Sequence, residues 1–212
     1  MTPSTTEQTI EYIKEHPHIK NCLKKGLINY SSLARLISKE LKIEKTSSKE
    51  AILIAARRFQ EKLKKELDNE NKIRTLLSES EIEIKNKISV LILNKLINMD
   101  CIIEFQKNVN KENGTLYVLE GTDNYTLITQ EKYAQKLLKK FKNSVIRFHK
   151  DLAIIDFKSP EEIEEIIGVL SYLTSLFAEN GVNIIEFLSC WRDTIFVIDK
   201  NDVNKAITFL NF

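Results

Sequence analysis

Cysteine is scarce in this 212-residue chain, and the three present (Cys22, Cys101, Cys190) are odd in number and widely spaced. No Cys-x-x-Cys pair occurs, which argues against a disulfide framework and against a structural zinc site. Histidine is equally sparse. His16, His18 and His149 do not combine with cysteines or carboxylates at metal-ligand spacing, and His149 reads as a surface residue at a strand end. Apolar runs stay short, far below the roughly 20 residues that cross a bilayer, so no membrane span is expected. The N-terminus lacks a basic start followed by an apolar core, so no secretory signal is visible and a cytoplasmic location is expected. Signatures of common catalytic chemistry are missing as well: there is no P-loop, GxGxxG, GxSxG or HExxH. These absences point to a non-catalytic protein that needs no cofactor.

What is present is an ordinary soluble composition, 42% hydrophobic and 29% charged. The length allows one large domain or two to three small ones. Net charge is only +2, yet it is unevenly spread. Residues 1–68 carry 14 Lys+Arg against 9 Asp+Glu, and the rest 18 against 21. A basic front on a slightly acidic remainder is the balance that a nucleic-acid-binding module would show.

The first eighty residues read as a helical module. A helix over 6–15 is interrupted at His16-Pro17, because the residue before proline is pushed out of the α region. A short helix ends at Gly26. Asn29 can cap the next, with Leu33, Leu36, Ile37 and Leu41 on one face. Ser47 and Glu50 form a capping box for a helix over about 48–67. That helix packs through Ile52, Ala55, Phe59 and Leu63 and presents Arg57, Arg58 and Lys62 elsewhere. Two helices joined by a turn, the second one basic, resemble a helix-turn-helix, with Arg57, Arg58 and Lys62 as candidate DNA contacts. A helical bundle with a solvated charged face fits the same residues.

From Ile82 the period changes to that of strands. IEIK (82–85) and ISVLILN (88–94) are separated by Asn86-Lys87. A helix over about 98–110 follows, then GTLYVLEG (114–121), NYTLIT (124–129), a helix over 130–141 and VIRFHK (145–150). The pattern then repeats: DLAIIDF (151–157), a helix through Ile163, Ile166, Ile167, Leu170, Leu173, Leu176 and Phe177, VNIIEFLSC (182–190), TIFVID (194–199) and a last helix. The two stretches align at an offset of 70, with Asp123 on Asp193, Leu127 on Val197, Ile128 on Ile198 and Leu137 on Ile207. The expected fold class is therefore α+β: a helical bundle (1–80), then two ferredoxin-like βαββαβ units (81–150 and 151–212). The second unit ends without a closing strand, which leaves an unpaired edge. IEIK is free to fill it, so the two units are expected to be interlocked.

Ser159-Pro160-Glu161-Glu162 reads as a helix start, with Ser at the cap, Pro at the first position and Glu at the third. Such a terminus presents free N–H groups to a carboxylate.

The run "IGVLSYLTSLFAENGVNIIEF…DTIFVIDKNDVNKAITFL", with its Gly and its Gly-Val-Asn-Ile turn, resembles an ACT domain, most closely the regulatory end of aspartokinases. The resemblance covers about 82–212 and is weaker over the first unit, which lacks the Gly and the Asn-Gly turn. It implies an amino acid effector near the loop before the helix and the Gly-Val-Asn-Ile turn, with Gly168, Val169, Asn183 and Ile184 as candidate contacts beside Ser159 of the helix start, and a homodimer. The reading is a transcriptional regulator that senses an amino acid. Its alternatives are a regulatory subunit of an amino-acid-biosynthesis enzyme and a ligand-free dimerisation scaffold.

Overall fold

The computed structural model describes residues 3–45, 48–64 and 69–212, and the chain divides into two compact units, 1–68 and 69–212.

Among the described residues of the first unit, four helices enclose one apolar core: α1 (Thr5–Glu15), α2 (Pro17–Lys24), α3 (Tyr30–Glu40) and α4 (Lys49–Leu63). Local chemistry sets their ends. Ser4 and Glu7 form a reciprocal capping box on α1, Pro17 opens α2, and the Asn29 side chain accepts from the Ser32 N–H at the start of α3. Ser48 caps α4 by accepting from the Ala51 N–H; Ser47 lies outside the described residues. Within the core, Gln60 accepts from the Tyr30 hydroxyl and donates to the Leu23 carbonyl, so a buried amide is satisfied on both sides. The buried face of α3 is Leu33, Ala34 and Ile37; the expected Leu36 and Leu41 are 40% and 36% exposed.

The second unit is α+β. Helix α5 (Glu70–Ser78) opens it and puts Ile73, Leu76 and Leu77 into its core. The expected boundary at 80/81 thus moves to 68/69, because the apolar face of α5 is buried on the sheet side. Six antiparallel strands follow: β1 (Glu81–Asn94), β2 (Leu116–Glu120), β3 (Asn124–Gln130), β4 (Val145–Lys158), β5 (Ile184–Cys190) and β6 (Asp193–Asp199). Helices α6 (Met99–Lys111), α7 (Glu131–Lys140), α8 (Val169–Glu179) and α9 (Val203–Phe209) lie between or after them.

The strand order β2-β3-β1-β4-β6-β5 is a palindrome about the central β1/β4 pair. Two segments expected as separate strands, 82–85 and 88–94, are one strand, and so are 145–150 and 151–157. Both breaks are bulges inside a continuous strand: register shifts at Lys85/Ile88 and Ile88/Val90, and Lys87 and Asp151 adopt φ of 58° and 60°. A bulge bends a strand without ending it. Ile82–Lys85 pairs with Ile154–Phe157 in the other half, which supplies the strand that the C-terminal half lacks.

The central strands are buried on both faces. α6 and α7 cover Leu91, Leu93 and Leu127, while α8 and α9 cover Ala153, Ile155, Phe157 and Phe196. The helix-free face gathers Ile88, Val90 and Ile128 from one half with Leu152, Ile154, Ile195 and Val197 from the other. The long β1/β4 pair that carries this face changes register at Lys85/Ile88, Ile88/Val90 and Ile92/Leu93.

The repeat runs at an offset of 69, not 70. Leu127 and Phe196 face the helices, and Ile128 and Val197 face inward. Ala134, Leu137 and Phe141 match Val203, Ala206 and Leu210, all buried, whereas Ile207 is half exposed. A slip of one residue in a strand moves every side chain to the opposite face.

Candidate functional site

The expected long helix from Ser159 is broken. Residues Glu161–Glu164 form a single 3-10 turn, and α8 begins only at Val169. Gly168 causes the break, since its φ of 99° lies in the region open to glycine and closed to most L-residues. Ser159 is no cap. It is fully buried and accepts a hydrogen bond from the Ser80 hydroxyl at 3.0 Å. Its backbone is tied to the β5–β6 turn: the Ser159 N–H donates to the Arg192 carbonyl (2.9 Å), and Arg192 Nε donates to the Ser159 carbonyl (2.7 Å). This clamp fixes the spacing between the loop before α8 and the turn that carries Trp191.

Between them lies a cleft of about 340 Å³. Ile163, Ile166 and Leu170 form an apolar side, Glu164 and Ser189 add polar groups, and Trp191 stands at its margin, more than half exposed. Gly168 and Val169 bring the start of α8 to it. No side chain caps that helix, so the first N–H groups of an 11-residue helix are left to a ligand or to water. Thr194 also lines the cleft; it is fully buried and its hydroxyl has no hydrogen-bond partner. An unpaired buried hydroxyl costs about 1–3 kcal/mol, and a polar ligand group would recover it. The corresponding helix of the first half is closed in this respect, since Asn98 caps α6 by accepting from the Asp100 N–H at 2.9 Å.

The five expected ligand contacts do not meet. Gly168 and Val169 line this cleft, whereas Ser159 is fully buried and does not line it. Asn183 and Ile184 line a separate depression of about 440 Å³ at the other end of α8, with Thr174, Ala178 and Gly181. At ~1.5 Å per residue the two ends of α8 are about 16 Å apart, too far for one ligand of amino-acid size. Thr194, Trp191 and Ser189 were missed in the sequence. Of these, only Trp191 carried a signal, as the sole tryptophan, set in a polar turn. On α4, Arg57, Arg58 and Lys62 are all exposed, and the Arg57 guanidinium lies 5.2 Å from the Tyr30 ring centroid. Among the described residues no group of His, Cys, Asp and Glu is arranged to hold a metal ion, and no helix is long and apolar enough to cross a membrane.

An antiparallel sheet with its helices on one side is an α+β fold, consistent with the ACT-like expectation. The comparisons agree at the level of fold. The chain is similar to the aspartate kinase of Clostridium acetobutylicum, described as an allosteric enzyme, with a TM-score of 0.50 and 16% identity over 61% of this chain. It spans 33% of that kinase, so the likeness concerns a part of it. Similar too are a putative C-terminal regulatory domain of aspartate kinase from Porphyromonas gingivalis (14% identity, 62% of this chain and 94% of that one, TM-score 0.46) and the regulatory subunit of aspartate kinase from Thermus thermophilus (10%, 61% and 93%, 0.46). No protein-family model matches the sequence, and no curated protein does.

Proposed function

We propose that the 69–212 unit is a non-catalytic sensor made of two interlocked ACT-like halves, and that it binds an amino acid in the cleft at the start of α8. One observation carries this reading: the uncapped N-terminus of α8 and the unpartnered hydroxyl of Thr194 border the same cleft. A carboxylate suits the free N–H groups, a second polar group suits Thr194, and an apolar side chain suits Ile163, Ile166 and Leu170. The ACT-like fold supports the reading, because the aspartate kinase that shares it is described as allosteric. The basic helical unit supports a transcriptional output through α4. Control of a biosynthetic enzyme is the competing output.

A thermal-shift screen of the full chain against the twenty amino acids tests the sensor reading. A ligand at a hundredfold excess over its dissociation constant stabilises by about 2.7 kcal/mol. Thr194→Val is expected to raise the ligand-free stability by about 1 kcal/mol, because it removes an unpaired hydroxyl. It should also abolish or strongly reduce the ligand shift. Asn183→Ala should leave that shift unchanged. A shift lost in Asn183→Ala and kept in Thr194→Val would move the site to the other end of α8.

A further inference from the structure

The two halves of the sheet are alike in fold, yet only the first carries a strongly basic helix. α7 and the turn after it hold Lys132, Lys136, Lys139, Lys140 and Lys142, all exposed, against one acid, Glu131. The matched positions at offset 69 are Asn201, Lys205, Thr208, Phe209 and Asn211, so packing on the sheet does not call for these charges. Nor does solvation. The outward face of the neighbouring α6 carries Asp100, Glu104, Lys107 and Lys111, two acids with two bases, as a solvated helix does. On α7, Tyr133, Ala134 and Leu137 face the core. At 3.6 residues per turn, Lys132, Lys136 and Lys139 fall within about 60° of one another on the opposite side, along about 10 Å of the axis. Glu112 lies 3.9 and 4.0 Å from Lys132 and Lys136. Among the described residues Lys139, Lys140 and Lys142 have no acidic partner. The helix dipole favours bases in the last turn, but not a row that begins in the first.

Like charges in a row repel one another, and an anion of matching spread relieves that repulsion. Duplex DNA is such an anion, with one negative charge per about 1.7 Å of its axis. A bilayer fits less well, because a helix lying on lipid needs a free apolar face and that of α7 is buried in the core. Single strands are held by stacking on aromatic rings, and Tyr133 and Phe141 are buried. We propose that α7 lies along the phosphate backbone of duplex DNA, with Lys139, Lys140 and Lys142 as its main contacts. A lysine ammonium is a point charge without the fork that reads base edges, so this contact holds DNA without selecting a sequence. The two halves then divide the work. The second keeps an open helix start beside the cleft, and the first, whose α6 is capped by Asn98, keeps the DNA surface. The contact is independent of α4 and of whether the cleft binds an amino acid.

The test measures binding of the full chain to a labelled DNA duplex of mixed sequence, by fluorescence anisotropy at several salt concentrations. The wild type should bind at low salt and weaken steeply as salt rises. Lys139→Gln, Lys140→Gln and Lys142→Gln together should weaken binding about tenfold or more and lower the salt slope by about two to three, with an unchanged circular dichroism spectrum. Lys132 and Lys136 are left alone because they lie near Glu112 and the Tyr133 ring. A control with Lys107→Gln, Lys111→Gln and Lys205→Gln loses the same net charge from other helices and should stay within about threefold of wild type. No duplex binding at low salt, equal affinity for wild type and α7 variant, or an equal loss in the control would each overturn the proposal. So would an α7 variant that loses its hold on phosphatidylserine vesicles and keeps its hold on the duplex. Should the triple variant fail to fold, Lys139→Gln with Lys142→Gln, which leaves Lys140 beside the Phe141 ring, decides through the same two quantities.

Discussion

A buried carboxyl with an unpartnered oxygen is costly, and Asp156 on β4 is one: it is 3% exposed and its Oδ1 has no hydrogen bond. Burial is the main cause that raises its pKa, and Asp193 adds to it; Lys85 and Lys158 pull the other way, and Glu83 again raises it. The sign of the pH effect follows. The folded chain keeps a proton that the unfolded chain has released, so this group's stabilising contribution is fullest at low pH. It is lost as pH rises from the ordinary aspartate value through the folded one. Asp156→Asn removes the titration. Its Tm relative to wild type should therefore climb as pH rises from the acid range to neutrality and level off above the folded value. Parallel Tm curves for the two proteins would show that Asp156 does not titrate this way. Tyr117, pushed up to about 12 by burial and then by acidic neighbours led by Asp156, gives the same sign in the alkaline range. Such residues were hidden in the sequence. DLAIIDF reads as a strand, yet nothing in it says that Asp156 turns inward while its neighbour Phe157 turns to the helices.

Among elements, the legible ones were those with strong local chemistry. Asn29 and Pro17 mark helix starts whatever the tertiary context, and the 3.6 period marks α4, α6 and α7. The breaks were less legible. Asn86-Lys87 looks like a turn because a polar pair between apolar runs often is, and Lys150-Asp151 looks like a unit boundary, but a long strand uses the same residues as bulges. The apolar run from Ile163 to Phe177 kept helical spacing across a break at Gly168 that only the backbone reveals. For α4 the sequence gives charge without geometry. If its exposed face contacts DNA, Arg57→Ala with Arg58→Ala should weaken binding several-fold and flatten its salt dependence, because phosphate contacts release counterions. Electrophoretic mobility shifts at several salt concentrations measure both quantities. Equal affinity and equal salt slope for wild type and variant would remove α4 as the contact.

At the scale of the whole molecule, strand exchange between the halves decides what can fold alone. The C-terminal half borrows 81–85 of β1 as a strand beside β4, and its core borrows Ile73, Leu76 and Leu77 from α5. A fragment of residues 145–212 loses both. Burial of each large apolar side chain is worth about 1.5–3 kcal/mol, so the three from α5 alone approach the roughly 5–15 kcal/mol by which a whole domain is stable. The edge of β4 exposed by the loss would also invite pairing between chains. A fragment of residues 69–212 keeps every one of these contacts. It is expected to unfold in a single cooperative transition, followed by both far-ultraviolet circular dichroism and Trp191 fluorescence, with coincident midpoints. The 145–212 fragment, measured in the same way, should show no cooperative transition or should aggregate. A cooperative, reversible transition in that short fragment would mean that the C-terminal half closes its own sheet without β1, and the interlocked arrangement would then not be what holds it together.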